Sequence, residues 1–277
     1  MIYLILAIVS SALTSIVMRF GEKYVQNNMG MFMVNYGVCF LLAKIFMGDS
    51  RIFTTQPGIW FAVILGVLSG ALYLGNFVLL KKSMEKNGVV LSTTFMKLGV
   101  LVPTLMAVVI FREKPKALQV AGIFIALVAI VLIHFEKEGL TKGEKKSALL
   151  ILLLISGITD SMANIYDKTG VASLKDHYLF YTFLAAFLLA GALGLRQKIG
   201  KWEILFGIGI GIPNYFSARF LLAAVGKVPA VIVYPAYSVT AIVIITLVGV
   251  FVFREKLSVK KGIALGLILA ALVLLNL

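Results

Sequence analysis

The chain has 277 residues, 61% of them apolar, with 26 Lys and Arg against 12 Asp and Glu and a net charge of +14. So large an apolar share excludes an ordinary soluble domain and predicts an integral membrane protein, in which the excess cations face lipid headgroups and aqueous loops rather than nucleic acid. The single cysteine, Cys39, excludes an internal disulfide. His134 and His177 lack the cysteine partners of the usual zinc patterns, so no metal or other cofactor is expected.

The first apolar run, 2–20, has no basic segment before it and is too long for a signal-peptide core, which predicts a retained span. Nine more runs reach the length needed to cross a bilayer: 29–47, 58–80, 88–111, 117–134, 147–168, 178–195, 203–225, 229–252 and 259–276. Five precede the charged stretch 136–146 and five follow, dividing the chain into repeats at 1–138 and 139–277. Phe111-Arg112-Glu113-Lys114 returns as Phe253-Arg254-Glu255-Lys256. The same shift of 142 positions carries Tyr73 to Tyr215, Leu79-Leu80 to Leu221-Leu222 and Val89 to Val231. A repeat with an odd number of spans re-enters the membrane upside down, so the predicted fold is all-α, with ten transmembrane helices in two inverted five-helix repeats. Lys and Arg are fewer in the loops that would be inside if both termini were inside, which favours termini outside. The fifth and tenth runs are apolar all round, apart from Gln119, and belong at the periphery or in a contact between repeats or protomers.

The remaining runs carry the polar side chains. Asn35 and Tyr36 either line a cavity or are wet, being one turn from a loop, and Glu22 and Asp176 read as solvated loop charges. Tyr73 and Asn76 share a helical face, and Thr93 and Thr94 sit one turn before Lys97. Asp160, Asn164 and Asp167 form one stripe, Tyr215 and Arg219 another, and Tyr234 and Tyr237 flank Pro235. The tyrosines are either interfacial anchors or cavity groups. Pro103 and Pro235 either form gates, by freeing a carbonyl one turn earlier, or are tolerated kinks.

A charge at mid-membrane costs roughly 2.5–3.5 kcal/mol, so it persists only with a partner, a wet cavity or a task. Lys97, Asp160 and Arg219 are the three such positions. Asp160 is either a coupling group or one half of a structural ion pair, and in both cases one cation is left over, which favours a substrate bearing a carboxylate or phosphate. Lys97, Arg219, Tyr73, Asn76, Asn164, Tyr215, Tyr234 and Tyr237 are the expected substrate-binding residues.

With ten spans and a charged turn containing Glu after the fourth span of each repeat, the chain resembles the drug/metabolite transporter superfamily in its ten-helix EamA branch. The resemblance covers the whole chain. That family typically has Gly-Glu at this turn and a Gly in the next helix. Here Glu113 is followed by Gly122, whereas Glu255 meets Ala264 with Gly262 and Gly266 nearby, and Arg112 and Arg254 take the place of the preceding Gly. The resemblance implies a multi-pass protein of the bacterial inner membrane that moves a small metabolite by alternating access, through a cavity lined by the first four helices of each repeat. The expected partners are that small molecule and the lipid bilayer, with no nucleic acid, in either a monomer or a homodimer. No catalytic constellation and no nucleotide-binding P-loop occur, so the chain is not expected to be an enzyme. A lipid-linked flippase, or a carrier of cationic or neutral drug-like compounds, is the alternative.

Overall fold

The structure is a computed structural model that describes residues 1–21, 23–48, 51–87, 89–134, 146–194, 198–252 and 259–276. Its regular elements are α1 (Ile2–Gly21), α2 (Asn28–Met47), α3 (Ile59–Asn87), α4 (Val89–Leu98), α5 (Leu101–Val109), α6 (Ala117–His134), α7 (Lys146–Thr169), α8 (Lys175–Gly194), α9 (Lys201–Val225), α10 (Ala230–Phe251) and α11 (Val259–Asn276), with one 3-10 turn at Ala172–Leu174. No strand occurs among the described residues. Seven helices are long and apolar enough to cross a membrane, and shorter apolar stretches lie at Phe95–Val109, Ala117–Leu132 and Gly262–Leu275. Every apolar run expected to span is therefore helical, and the protein is an all-α, multi-pass membrane protein.

The fourth span differs from expectation in being two helices. Pro103 has no N–H to offer the carbonyl of Gly99, which instead accepts from Val102 N at 2.9 Å, while Gly99 N and Val100 N bond to Met96 O and Lys97 O at 3.1 and 3.3 Å. These three-residue bonds tighten the backbone and part α4 from α5. The break is also a close contact. A β-carbon on Gly99 would lie 3.0 Å from Gly157 N on α7, and one on Gly157 would lie 2.4 Å from Val102 Cβ.

The helices gather into two compact units, one of residues 1–74 and 162–226 and the other of 75–161 and 227–277. Each unit draws on both halves of the sequence, and α3 and α7 contribute to both. In the first unit α1 packs on α9, and α2 on α8 and α9. Glycines at four-residue spacing permit this approach: β-carbons at Gly207 and Gly211 would meet Val34 and Val38 of α2 at 2.6 and 2.7 Å, and one at Gly70 would meet the Thr182 carbonyl of α8 at 2.3 Å. In the second unit α6 packs on α11, and α10 on α5 and α11. Gly122, the glycine that follows Glu113, lies where a β-carbon would be 3.0 Å from Ala271 O of α11, so it sets that contact.

Polar termini are closed by side chains. Glu203 in the first turn of α9 accepts from Gln26 N at 2.9 Å, Asn27 N at 3.1 Å and Gly200 N at 3.0 Å. Asn27 caps α2 through Gly30 N and donates to Gly194 O, each at 2.9 Å. Gln119 accepts from Lys116 N at 2.9 Å, which explains the one strongly polar side chain of α6. The first Phe-Arg-Glu-Lys copy forms the turn after α5: Arg112 takes a left-handed φ of 54°, Glu113 N reaches Ala107 O at 2.9 Å, and the Glu113 carboxylate accepts from Val231 N at 2.9 Å, capping the start of α10. The second copy, at 253–256, lies outside the described residues.

Candidate functional site

In the second unit, Lys97 lies in the last turn of α4, beside the break, and interacts electrostatically with Asp160 of α7. Asp160 is exposed on α7. Asn76 is tied down, accepting from the Ser156 hydroxyl at 2.8 Å. Pro235 lies inside an unbroken α10 and shares a narrow apolar crevice with Val100, Leu101, Thr104 and Ile130, too tight to admit water. It thus abuts the residues of the α4–α5 break without breaking its own helix. Tyr234 is buried and Tyr237 half-buried on α10. The side chains of Thr93 and Thr94 lie outside the described residues.

In the first unit the charges are arranged around the start of α8. Lys175 pairs with Asp167 at the end of α7, and its neighbour Asp176 accepts from Arg219 of α9 at 2.5 Å. Arg219 also donates to the Tyr215 hydroxyl at 2.9 Å and lies 4.9 Å from the Phe46 ring of α2. Two expectations change here. Asp176 is part-exposed but lies in the first turn of α8 rather than in a loop and is the partner of Arg219, and Arg219 is not a surplus cation. It stands six residues, about 9 Å of helix, from the end of α9 at Val225, within reach of the first turn of α8. Sequence reasoning missed this partner because Asp176 is distant in the chain and follows a short turn. Its one local signal was the adjoining Lys175, an opposite charge on the next residue.

Asn35 and Tyr36 are buried at 1% and 5% exposure, not wet. Asn35 accepts from the Asn214 side chain at 3.1 Å, and Cys39 donates to Gly211 O at 3.2 Å, which accounts for the polar groups between α2 and α9 as packing contacts. His177 is likewise structural, hydrogen-bonding Arg51 O at 3.0 Å. Tyr73 is half-buried on α3. Asn164, on α7, is 1% exposed, and neither atom of its amide has a hydrogen-bond partner. Glu22 lies outside the described residues. No group of three or more His, Cys, Asp or Glu placed to hold a metal occurs among the described residues.

Comparison with known proteins agrees with this architecture. The EamA-like transporter family matches residues 1–135, and the family described as Small Multidrug Resistance protein matches residues 176–268. The uncharacterized membrane protein YvaE of Bacillus subtilis is 30% identical over 101 residues, 36% of this chain and 85% of that protein. An uncharacterized protein of Haemophilus influenzae is 23% identical over 194 residues, 68% of this chain and 67% of that one. A crystal structure only 13% identical has the same fold, with a TM-score of 0.77 over 99% of this chain and 94% of the other. The chain is thus a multi-pass protein of the bacterial inner membrane and belongs to the EamA-like transporter family of the drug/metabolite transporter superfamily.

Proposed function

We propose that the protein is a secondary transporter that moves a small polar metabolite by rocking one inverted repeat against the other, without catalytic activity of its own. What supports this reading is that two charged side chains, Lys97 and Asp160, stand on apolar helices and interact electrostatically, Lys97 beside a helix break. Charges carried on membrane-spanning helices are costly unless they have a partner, a wet cavity or a task. A break beside Lys97 supplies exposed backbone and a place to bend, as in the discontinuous helices of transporters. Asn76, Tyr234 and Tyr237, in the same unit as Lys97 and Asp160, are proposed as substrate contacts, with Pro103 and Pro235 as bending points, and Tyr73, Asn164 and Tyr215 are proposed as substrate contacts of the first unit.

The preference for a carboxylate or phosphate rested on an unpaired cation. Arg219 has Asp176, so that support is gone, and the substrate is proposed as polar with no required negative charge. Purified protein in liposomes loaded with a panel of radiolabelled metabolites tests the reading. At least one compound is expected to enter at a rate that saturates and that Lys97→Gln lowers at least tenfold, with folding unchanged by thermal denaturation. Uptake indifferent to Lys97→Gln, or the exchange of labelled lipids in place of soluble solutes, would overturn it.

A further inference from the structure

The chain has two tryptophans, Trp60 and Trp202, and the shift of 142 positions carries one onto the other. Each is the second residue of its helix, α3 or α9. Within the first unit they lie toward opposite ends of α8. On the Trp60 side, Tyr181 near the start of α8 donates to Ile52 O at 2.8 Å, and His177 bonds Arg51 O at 3.0 Å. On the Trp202 side, Glu203 accepts from Asn27 N at 3.1 Å, and the Asn27 amide donates at 2.9 Å to the carbonyl of Gly194, the last residue of α8. The 20 residues of α8 rise about 30 Å, the thickness of a hydrocarbon core. Tryptophans so separated mark the two lipid–water boundaries.

The two boundaries are built differently. The Trp202 ring is packed by protein, with Tyr24 at 4.7 Å, Phe206 at 6.1 Å and Lys201 Nζ at 5.3 Å. The shift puts Ile59 and Ile64 in the places of Lys201 and Phe206, and Trp60 is 73% exposed against 36% for Trp202. Trp60 borders an open crevice of about 420 Å³, lined also by Phe53, Thr54, Gln56, Pro57 and Val63, a volume within the range of ligand sites. The segment that forms it is fixed to its surroundings. Besides its two bonds to α8, Gln56 donates to the Ser173 hydroxyl at 3.0 Å, and Gly58, at φ 91°, lies where a β-carbon would be 2.6 Å from Val171. Because α2 and α3 are both long and apolar enough to cross the membrane, the segment joining them lies at a bilayer surface. Arg51, two residues before Phe53, is exposed and has no ion pair among the described residues, whereas Lys175 and Arg219 on the same side hold Asp167 and Asp176.

We propose that this crevice holds one anionic phospholipid, its headgroup at Arg51 and the glycerol end of its chains against Phe53 and Trp60. Charge and place select the occupant: one cation without an acidic partner matches one phosphodiester, and exposed aromatic rings at a bilayer surface meet lipid. A cation so placed favours an anionic headgroup over a neutral one by about fivefold. The site is independent of what the protein transports.

The test uses the full chain with Trp202→Phe, in which Trp60 is the one tryptophan left, purified in detergent and titrated with phosphatidylglycerol or phosphatidylcholine carrying brominated chains, which quench a tryptophan in contact. Phosphatidylglycerol is expected to half-quench Trp60 at about one fifth of the mole fraction that phosphatidylcholine needs. In the same background Arg51→Gln is expected to remove that difference and Arg51→Lys to keep it. Trp60→Phe, which leaves Trp202 as the reporter, is expected to be quenched equally by the two lipids. Should Trp202→Phe not fold, the difference between the unaltered chain and Trp60→Phe supplies the Trp60 signal. Equal quenching of Trp60 by both lipids, a preference that survives Arg51→Gln, or the same preference at Trp202 overturns the proposal. Trp60 quenched by neither lipid overturns it too, and an emission that then changes with protein concentration assigns the crevice to a second copy of the chain.

Discussion

Arg112 holds a left-handed backbone at φ 54°, where its β-carbon crowds the following carbonyl. Glycine has no such carbon, which gives a physical reason for the family's Gly at this turn. Arg112→Gly is therefore expected to stabilise the protein by about 1 kcal/mol, read as a rise in the thermal midpoint of the detergent-solubilised chain. Glu203 shows the opposite case, a side chain with no substitute. Its carboxylate closes three backbone N–H groups from two segments, so Glu203→Ala is expected to cost about 2–3 kcal/mol, with Glu203→Gln intermediate in the same denaturation assay. At this scale the sequence was partly legible. The unusual residue types were visible, including Lys97, Asp160 and Arg219. Partners far along the chain were not, because Asp176 and Arg219 are 43 positions apart and nothing in their local spacing pairs them.

Helices were the most legible level, since a run of apolar residues long enough to cross a bilayer has no other way to satisfy its backbone. The division of the fourth span was not. Pro103 marked a weak point, but the break falls at Gly99, where the freed carbonyl and the close approach of Gly157 coincide, and that approach belongs to three dimensions. The repeated turn also has a role that its sequence hid, because Glu113 caps α10, a helix of the other repeat. Removing a cap costs about 0.5–2 kcal/mol. Glu113→Ala is expected to destabilise the protein by that amount, read as a lower thermal midpoint. The 142-residue shift carries Glu113 to Glu255 and Val231 to Val89, so Glu255→Ala is expected to have an effect of similar size. A change in only one of the two variants would argue against equivalent roles.

For the whole molecule, the repeat proposes a machine with two equivalent ends, and the Lys97–Asp160 pair breaks that equivalence. The shift of 142 carries Lys97 to Val239, which has no charge to lend. Any coupling to an ion then rests on one side of the pseudo-symmetric pair. Burial and a neighbouring cation act in opposite directions on a carboxylate, which is how such a group comes to exchange a proton in the working range. Asp160→Asn is expected to keep binding and solute exchange but to lose accumulation driven by a pH gradient across liposomes. Gradient-driven accumulation that survives the substitution would reduce Asp160 to a structural partner of Lys97. Composition alone was enough to read the membrane class, and the internal repeat supported a two-part construction. How the helices of the two halves combine was hidden, because apolar faces are interchangeable in sequence and are told apart only by where glycines let backbones meet.

The mixed membership of the compact units bears on how the protein is made. α1 and α2 leave the ribosome early, yet their packing partners α8 and α9 end only at Val225. At about 5–20 residues per second, the intervening chain takes on the order of 10–30 s to synthesise. Through that interval Asn35 and Cys39 wait in the bilayer without Asn214 and the Gly211 carbonyl. The polar contacts between α2 and α9 therefore close only after α9 has been made, so this unit is completed late in synthesis.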